Sequence, residues 1–332
     1  MTEALPNPSR RGLLGALALA PAALALPTLL AAGRSMAQAP AAPTGAITRH
    51  RVGDIEVIAL ADGHGAVPTS IMVGLEDGAA QQAAALAHKP HDPANLAISI
   101  NAYLIRRGDR LIAVDSGAGG AMGPTLGAWQ NSLALAGVDL ADIDTLFLTH
   151  THTDHVGGMT DASGIRLLPN AELIVSEADW FFTHDEGVFA SIPKDFQGNF
   201  LAARAQLAPY AEGRTLITMD RETEIAPGVT AVPLPGHTPG HMGLRVVSGS
   251  ESVLIWGDLL HAPAYQFSHP DWSVGFDADI PTAIATRQRL FDMVASDDTL
   301  VAGMHLDFPA FGYVERRGDA YRYMAAPPDL GA

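Results

Sequence analysis

The segment that most constrains this chain is THTHTDHVGG, residues 149–158, which follows an apolar run. It places His150, His152, Asp154 and His155 close together. Side chains alternate along a strand, so His150 and His152 point to the same side where the strand ends, and their imidazoles can converge on one ion. Asp154 and His155 lie further round the turn and face a neighbouring point. The spacing therefore predicts a metal site at the end of a buried strand.

Three more candidate ligands each follow an apolar strand. His237 comes after TAVPLPG, Asp258 after SVLIWG and His305 after TLVAGM. Functional groups collect in loops at the ends of strands because a rigid scaffold holds them there. Together with the first cluster, these residues supply five imidazoles and two carboxylates, which is too many for one tetrahedral ion and suits two divalent cations. This ligand set favours Zn²⁺ and leaves manganese, iron, cobalt and nickel open.

Composition narrows the chemistry and the partners. The 332 residues include no cysteine, so thiolate ligands and disulfides are excluded. The formal net charge is −16, and −18 without residues 1–39, which carry three arginines and one glutamate. Such an acidic surface repels phosphate backbones, so we do not expect a nucleic-acid partner.

The first 39 residues have the pattern of an export signal. A pair of arginines at 10–11 precedes an uncharged segment at 12–33, and Ala-Gln-Ala follows at 37–39. The arginine pair indicates the twin-arginine route, and the small residues indicate a cleavage site. A membrane anchor is the alternative, because the apolar run is nearly long enough to span a bilayer.

Two prolines within that run, Pro21 and Pro27, favour cleavage over anchoring. We therefore predict residues 1–39 to be a cleaved signal peptide and residues 40–332 to be a single domain. The mature protein is then expected to be periplasmic or secreted, without stable membrane insertion.

Hairpins and helices alternate through the remaining residues. Residues 100–117 read as a hairpin that turns at Gly108-Asp109, and residues 244–258 as another that turns at 248–250. Residues 143–150 read as a buried strand that leads into the histidines. Helical spacing is found over 123–138, 197–211 and 280–295. This order predicts an α/β fold with two sheets covered by helices.

The complete ligand pattern resembles that of the metallo-β-lactamase superfamily. Members carry His-x-His-x-Asp-His, then a later His, an Asp and a final His, in the order found here. The resemblance implies a four-layer αββα sandwich with the metals in a cleft at the sheet edge. It also implies three roles: one metal held by His150, His152 and His237, a second held by Asp154, His155 and His305, and Asp258 bridging them.

Within the superfamily, the chain is similar to the methyl parathion hydrolase and lactonase-like members. This similarity rests on VDSGAGGAMGPTLG (114–127), GHTPGHMG (236–243), GDLLHAPAYQF (257–267) and HLDFP (305–309). Two positions depart from that group's pattern. Met122 stands where the group has a phenylalanine, and His261 stands where it has an aliphatic residue, which disfavours efficient phosphotriester cleavage.

The resemblance implies an exported binuclear hydrolase that acts on a small apolar lactone, ester or phosphotriester. Two cations in such a site lower the pKa of a shared water toward about 7, which provides hydroxide at neutral pH. We assign the catalytic carboxylates to Asp154 and Asp258. Relatives of this kind form dimers, which implies a homodimer here. An iron-dependent redox enzyme on the same fold and a non-catalytic exported metal binder are the alternatives.

Supporting and substrate-contacting residues follow from position. Asp115, at the end of the strand LIAVD, is expected to orient a ligand imidazole, as metal-bound histidines require. His241 is expected to be a hydrogen-bonding support, because the ligand set is complete without it. Ligand pockets are often lined by aromatic side chains. The predicted substrate-pocket residues are Met122, Trp180, Phe181, Phe196, His261 and Phe267.

Overall fold

The computed structural model of the chain describes residues 44–120 and 122–327. The predicted signal peptide, residues 1–39, lies outside the described residues. Among the helices that are described, none combines the length and apolarity that crossing a membrane requires.

In the described part of the chain, the first half builds a seven-stranded sheet in the order β1-β2-β4-β5-β6-β7-β8. The predicted hairpin at 100–117 is confirmed, since β4 and β5 are antiparallel and Arg107 pairs with Arg110 across Gly108-Asp109. From β5 to β8 the neighbours are parallel. The strands of this sheet are β1 (Ala46–Val52), β2 (Ile55–Pro68), β4 (Asn95–Arg107), β5 (Arg110–Val114), β6 (Thr145–Phe147), β7 (Glu172–Ser176) and β8 (Thr215–Ile217).

The second half builds a sheet of the same size among the described residues, in the order β16-β15-β14-β12-β11-β10-β9. Its strands are β9 (Thr223–Ala226), β10 (Val229–Pro233), β11 (Met242–Ser248), β12 (Glu251–Ile255), β14 (Leu300–Ala302), β15 (Phe311–Arg317) and β16 (Ala320–Ala325). The predicted hairpin at 244–258 is β11 and β12, which turn between Ser248 and Glu251. Two short strands, β3 (Met72–Val73) and β13 (Ser273–Val274), pair separately.

Alternation along β2 shows why the fold has four layers. Val57 and Ala59 point toward the second sheet and share a core with Leu244 and Val246. Ile58 and Leu60 point the other way and pack with Trp129 and other helical residues. A strand whose two faces are both apolar must be covered on both sides. The predicted αββα sandwich is thereby confirmed.

The helices are interspersed between the strands along the chain, and α2 packs against β2 of the first sheet while α8 packs against β15 of the second. They are α1 (Asp77–Leu86), α2 (Trp129–Leu135), α3 (Thr153–Val156), α4 (Glu177–His184), α5 (Glu186–Ser191), α6 (Lys194–Leu207), α7 (Pro263–Gln266) and α8 (Ile280–Ser296). Short 3₁₀ turns occur at Thr69–Ile71, Leu140–Asp142 and Ala208–Tyr210. The predicted helix at 280–295 is confirmed as α8, and the one at 197–211 corresponds to α6 and the 3₁₀ turn after it.

The prediction of a helix from residue 123 is wrong. Gly123 and Gly127 have φ of +128° and +95°, which a right-handed helix excludes. The segment is instead held as a loop by the buried Asp62 carboxylate. Asp62 accepts backbone N–H bonds from Ala118, Gly127 and Trp129 at 3.0, 3.1 and 3.0 Å. Helix α2 therefore begins at Trp129.

Candidate metal centre

The candidate ligands lie in four loops, each at the carboxyl end of a strand. The segment after β6, which runs into α3, carries His150 to His155, and the loops after β10, β12 and β14 carry His237, Asp258 and His305. Strands β10, β12 and β14 run in the same direction, because β11 is antiparallel to both of its neighbours and β12 is parallel to β14. Their carboxyl ends therefore share one edge of the second sheet, where the loop from the first sheet meets them.

The first group of potential ligands is His150, His152, His237 and Asp258, whose ligand atoms all lie within 4.8 Å of one another. His237 Nε2 is 3.2 Å from His150 Nε2 and 2.9 Å from His152 Nδ1. The rings of His150 and His152 stand at 81° to each other with centroids 4.6 Å apart. Two residues thus come from the first half of the chain and two from the second.

The second group is Asp154, His155, Asp258 and His305, which meets the same 4.8 Å limit. Asp258 Oδ2 lies 2.9 Å from His305 Nε2 and 3.3 Å from His155 Nε2. Asp154 Oδ2 lies 3.6 Å from His305 Nε2 and 3.5 Å from His155 Nε2. Asp258 belongs to both groups, as expected of a bridging carboxylate.

Hydrogen bonds on the far side of three imidazoles fix which nitrogen carries the proton. The Nδ1–H of His237 donates to Asp277 Oδ1 at 2.8 Å. The Nδ1–H of His155 donates to Asp115 Oδ2 at 2.7 Å. The Nδ1–H of His305 donates to the Ser99 carbonyl at 2.8 Å. In a neutral imidazole the other nitrogen then has only a lone pair. In the neutral form that a metal ligand requires, the Nε2 lone pair of each of the three rings would point into the centre.

Thr149 extends this arrangement to His150. Its hydroxyl donates to Asp115 Oδ2 at 2.7 Å, which leaves an oxygen lone pair facing His150 Nδ1 at 3.1 Å. Asp115 also accepts the Thr149 backbone N–H at 2.8 Å. Asp115 therefore supports His155 directly and His150 through a hydroxyl, from a backbone conformation with φ of +61°.

The electrostatics of the two groups show what they can hold. Burial lowers the pKa of His150 well below its ordinary value and that of His152 to about 3. Burial opposes protonation of His155 too, yet the Asp258, Asp154 and Asp115 carboxylates raise its pKa well above the ordinary value. Burial disfavours the Asp258 carboxylate, but the surrounding imidazoles lower its pKa. The carboxylates thus favour positive charge at the centre, which bound cations would supply.

These residues fit a pair of divalent cations. Five imidazoles and two carboxylates meet here, with the ligand atoms of each group within 4.8 Å of one another, as ligands around a cation are. Among the described residues, His155 Nε2 and Asp258 Oδ1 are buried without a hydrogen-bond partner. Three histidines with a carboxylate, and two histidines with two carboxylates, are ligand sets that suit zinc.

His241 lies behind the ligands, as the sequence predicts. Its Nδ1–H donates to the Leu234 carbonyl at 2.8 Å, and its Nε2 accepts the backbone N–H of Asp258 at 2.9 Å. Because both nitrogens are used by the backbone, His241 has none left for a metal. It joins the loop after β10 to the loop after β12, which places His237 and Asp258 relative to each other.

Two residues that position ligands were not predicted from the sequence. Asp277 accepts the Nδ1–H of His237. Asn101 donates from Nδ2 to the carbonyls of Met304 and Leu306, at 2.9 and 2.8 Å. These two carbonyls lie on either side of His305 in the chain. Asn101 lies inside a continuous apolar strand, where a buried amide could have been noticed as a signal. Asp277 gave no comparable signal, because it lies in the loop before α8 among other acidic residues.

A cavity of about 500 Å³ lies over the two groups. His152, Asp154, Asp258 and His305 line its floor. Of the predicted pocket residues, Met122, Phe196 and His261 line it. Its other apolar lining residues are Ala66, Val67, Ile98, Ile100, Leu126, Phe182, Ile192, Pro193, Phe200, Ala203 and Phe276.

The structure places the remaining three predicted pocket residues elsewhere. Successive residues of a helix point about 100° apart, so on α4 it is Phe182 that faces the cavity. Trp180 instead packs in the core under the guanidinium of Arg214, and Phe181 is 55% exposed. Phe267 is buried in the main core, stacked on Phe291 at 5.0 Å between ring centroids.

His261 lies between the cavity and the ligands. Its Nε2 is 3.1 Å from Asp258 Oδ2, and its ring stacks on that of His305. Burial lowers its pKa to about 4, so the ring is neutral near pH 7. His261, His237 and Asp277 could also be grouped as metal ligands. The His237–Asp277 hydrogen bond already uses the atoms that such a site would need.

Comparison with known families identifies one model that matches residues 97–305, described as the metallo-beta-lactamase superfamily. The match begins in β4 and ends at His305, so it includes every ligand of both groups. It covers more than half of the chain.

Curated relatives match over shorter stretches. The Beta-lactamase-like protein 2 homolog of Drosophila melanogaster is 30% identical over 160 residues, which are 48% of this chain and 46% of that protein. The N-acyl homoserine lactonase AiiB of Agrobacterium fabrum is 27% identical over 168 residues, 45% of this chain and 58% of that one. The chain spans about half the length of the curated relatives it matches.

Solved structures resemble the fold over most of its length. One of them is described as the hydrolase AbOPH in the beta lactamase superfamily. It has a TM-score of 0.78 and is 27% identical, and the match covers 86% of this chain and 98% of that one. AidC, a dizinc quorum-quenching lactonase in complex with a product, has the same TM-score at 22% identity, covering 85% of this chain and 98% of its own. At that identity, the second likeness shows the fold alone.

Proposed function

The chain belongs to the metallo-beta-lactamase superfamily, and we propose that it is a binuclear metal-dependent hydrolase of small, neutral, apolar lactones or esters. One observation carries this proposal. Two ligand groups that share Asp258 form the floor of a cavity whose walls are mainly apolar. Phosphotriesters are neutral and apolar as well, so the proposed substrate class includes them.

The residues that would hold the metals are those of the two groups. His150, His152 and His237 would bind one Zn²⁺, and Asp154, His155 and His305 the other. Asp258 reaches both groups from its buried position. Two divalent cations supply water activated at neutral pH and a Lewis acid for a developing oxyanion.

Asp154 and the cavity walls provide what the metals do not. Asp154 is the less buried of the two ligand carboxylates, and its side chain is 17% exposed toward the cavity. We propose that its Oδ2 would take up the proton that the attacking water loses and pass it to the leaving group. Phe182, Phe196 and Phe200 would contact the apolar part of the substrate and exclude water from the floor.

The charge of the cavity selects among substrates. Among its described lining residues there is no lysine or arginine, while Asp154 and Asp258 are acidic. Apart from the proposed metals, a substrate carboxylate would find no cationic partner there, which argues against substrates that carry a carboxylate away from the reacting group. The name of the relative AiiB, an N-acyl homoserine lactonase, supports a lactone as the neutral substrate.

The proposal is tested by hydrolysis assays on protein loaded with zinc or manganese. Aryl esters, acyl-homoserine lactones and paraoxon-type triesters are the substrates. We expect turnover of at least one class, lost on chelation and regained on adding metal. Asp258→Asn should retain at most one metal per chain and lower kcat/KM by about 10³-fold, because the shared ligand supports both cations.

Asp109→Asn, an exposed change of the same kind in the β4–β5 turn, is the control and should match the wild type. Full activity of Asp258→Asn would contradict the bridging role. Visible charge-transfer bands from bound iron, without hydrolysis of any substrate, would favour the redox alternative. Two bound zinc ions with no turnover would favour a non-catalytic metal binder.

We further propose that residues 1–39 direct export by the twin-arginine route and are then removed. The arginine pair and the Ala-Gln-Ala at 37–39 support this. Mass spectrometry of the protein from a periplasmic fraction should give an N-terminus near residue 40. Protein that keeps residue 1 and stays with the cytoplasm would contradict the proposal.

A further inference from the structure

Behind the metal centre, an aspartate carboxylate lies near the buried guanidinium of an arginine on α8. Asp277 lies just before that helix, and its side chain is fully buried. Its Oδ1 accepts the Nδ1–H of His237 at 2.8 Å, and its Oδ2 accepts the Ser273 hydroxyl. Arg287 reaches toward the same Oδ2 with Nη2 at 3.7 Å.

Arg287 is almost completely buried, at 1% exposure. Its Nε donates to the Leu259 carbonyl at 2.7 Å, and its Nη1 donates to the carbonyls of Pro270 and Trp272 at 3.0 and 2.7 Å. These carbonyls belong to the loop between β12 and α8, and Leu259 is adjacent to the shared ligand Asp258. A buried guanidinium is retained only where its donors and charge are matched.

The backbone also couples this loop to His237. The N–H of Ala278 donates to the His237 carbonyl at 2.9 Å, and the N–H of Asp279 donates to the Gly236 carbonyl at 2.9 Å. The position of Asp277 relative to His237 is therefore fixed by its side chain and by the backbone of the two residues that follow it. Its carboxylate has little freedom to turn away from the imidazole.

We infer that Asp277 is the positioning residue of the first ligand group, which fixes the tautomer and orientation of His237, and that Arg287 and Ser273 hold its carboxylate in place. The inference rests on the metal centre of the proposed function but not on its substrate. A carboxylate behind a ligand imidazole holds the ring and raises the basicity of its free nitrogen.

The two groups differ in which carboxylate supports them. Asp115 supports His155 at 2.7 Å from the first sheet, and Asp277 supports His237 at 2.8 Å from the loop before α8. His305 has only the Ser99 carbonyl. Each group thus has one histidine backed directly by a carboxylate, so a change at either carboxylate should affect its own group most.

The test is a stepwise titration of metal-free full-length protein with Co²⁺ against a competing chelator, followed by visible absorption. Asp277→Asn keeps the size of the side chain and removes its charge. We expect one binding step to weaken by about 10- to 100-fold, with a changed absorption band, while the other step keeps its wild-type constant. Asp115→Asn should weaken the other step most and the Asp277-dependent step less, because Asp115 reaches His150 only through the Thr149 hydroxyl.

Asp109→Asn is again the control. Asp109 is exposed in the β4–β5 turn and loses the same charge, so both binding steps should equal those of the wild type. Ser273→Ala should weaken the Asp277-dependent step by about fivefold, the value of one hydrogen bond. Arg287→Lys should weaken that step too, because an ammonium cannot replace three guanidinium contacts.

Wild-type constants for both steps in Asp277→Asn would overturn the inference. So would equal weakening of both steps together with a lower melting temperature of the metal-free variant, because that pattern describes a general structural role. If the wild-type protein binds two metals but hydrolyses none of the substrates, the proposed function fails and the role of Asp277 stands. Absence of metal binding by the wild type would overturn both.

Discussion

At the scale of single residues, the centre depends on proton placement as much as on ligand identity. An imidazole can ligate a metal only through the nitrogen that lacks a proton, and the partner of the other nitrogen decides which one that is. Here the partners are Asp277, Asp115, the Ser99 carbonyl and the Thr149 hydroxyl. Of these, only Asp115 was predicted from the sequence, because it ends a strand as the ligands do.

Thr149 offers a test at this scale. Thr149→Val keeps the shape of the side chain but leaves His150 Nδ1–H without its acceptor and removes one donor from Asp115. We expect the free energy of unfolding of the metal-free protein to fall by about 1–3 kcal/mol, the value for an unsatisfied buried group. Metal affinity should also fall, and chemical denaturation with chelator competition measures both.

Thr149→Ser is the matched control, because it retains the hydroxyl while losing a methyl group. It should preserve metal affinity close to that of the wild type. Equal metal affinity in the valine and serine variants would show that the hydroxyl does not orient His150.

At the scale of elements, strand ends supply the ligands and helix faces supply the cavity wall. Phe196, Phe200 and Ala203 line the cavity from α6, at spacings that share one helical face. The sequence predicted α6 within a few residues of its bounds. It could not tell which aromatic side chains face the metals, because helical phase relative to the sheet is set by packing.

Replacing Phe200 tests this wall and depends on the proposed function. Phe200→Ala removes a ring whose centroid lies 5.8 Å from that of Phe182. We expect KM for a long-chain apolar substrate to rise by about tenfold, since burying an aromatic side chain stabilises by about 1.5–3 kcal/mol. The value of kcat and the bound metal should remain those of the wild type.

Leu201→Ala is the control on the same helix. Leu201 is 53% exposed and does not line the cavity, so its kinetic constants should not change. A similar rise in KM in both variants would indicate a general effect on α6 rather than a substrate contact.

At the scale of the whole molecule, the metal centre connects the two halves of the chain. The first ligand group takes two histidines from the loop after β6 and two residues from the second sheet. Metals bound to both halves stabilise only the folded state, in which the groups are assembled. Without cations, this contribution to the stability of the folded state is lost.

Metal removal should therefore lower the melting temperature. With metal about 1,000-fold above its dissociation constant, the stabilisation is about 4 kcal/mol. For a domain of this size that corresponds to a shift of about 10 °C. Calorimetry of wild-type protein with zinc and with chelator measures the shift, and adding zinc back should restore it.

Asp258→Asn should show a smaller difference between the zinc and chelator conditions, because it has lost the shared ligand. Identical melting temperatures of the wild-type protein in zinc and in chelator would contradict a structural contribution of bound metal.

The sequence by itself determined the ligand types, their order and the fold class. His-x-His-x-Asp-His after an apolar run, and single ligands after three later strands, are local patterns that a strand and its end impose. The hairpin turns at Gly108-Asp109 and Ser248–Ser250 are local in the same sense. These features depend on residues adjacent in the chain, so they can be predicted without knowing the fold.

Only the tertiary structure decided which distant groups meet. Asp277 supports His237 from 40 residues away, and Asn101 reaches the carbonyls of Met304 and Leu306 from the other sheet. The cavity is not lined by the predicted residues Trp180, Phe181 and Phe267. Aromatic residues that do line it include Phe182, Phe200 and Phe276. The physical reason is that side-chain direction relative to a distant partner depends on how sheets and helices pack, which no local pattern records.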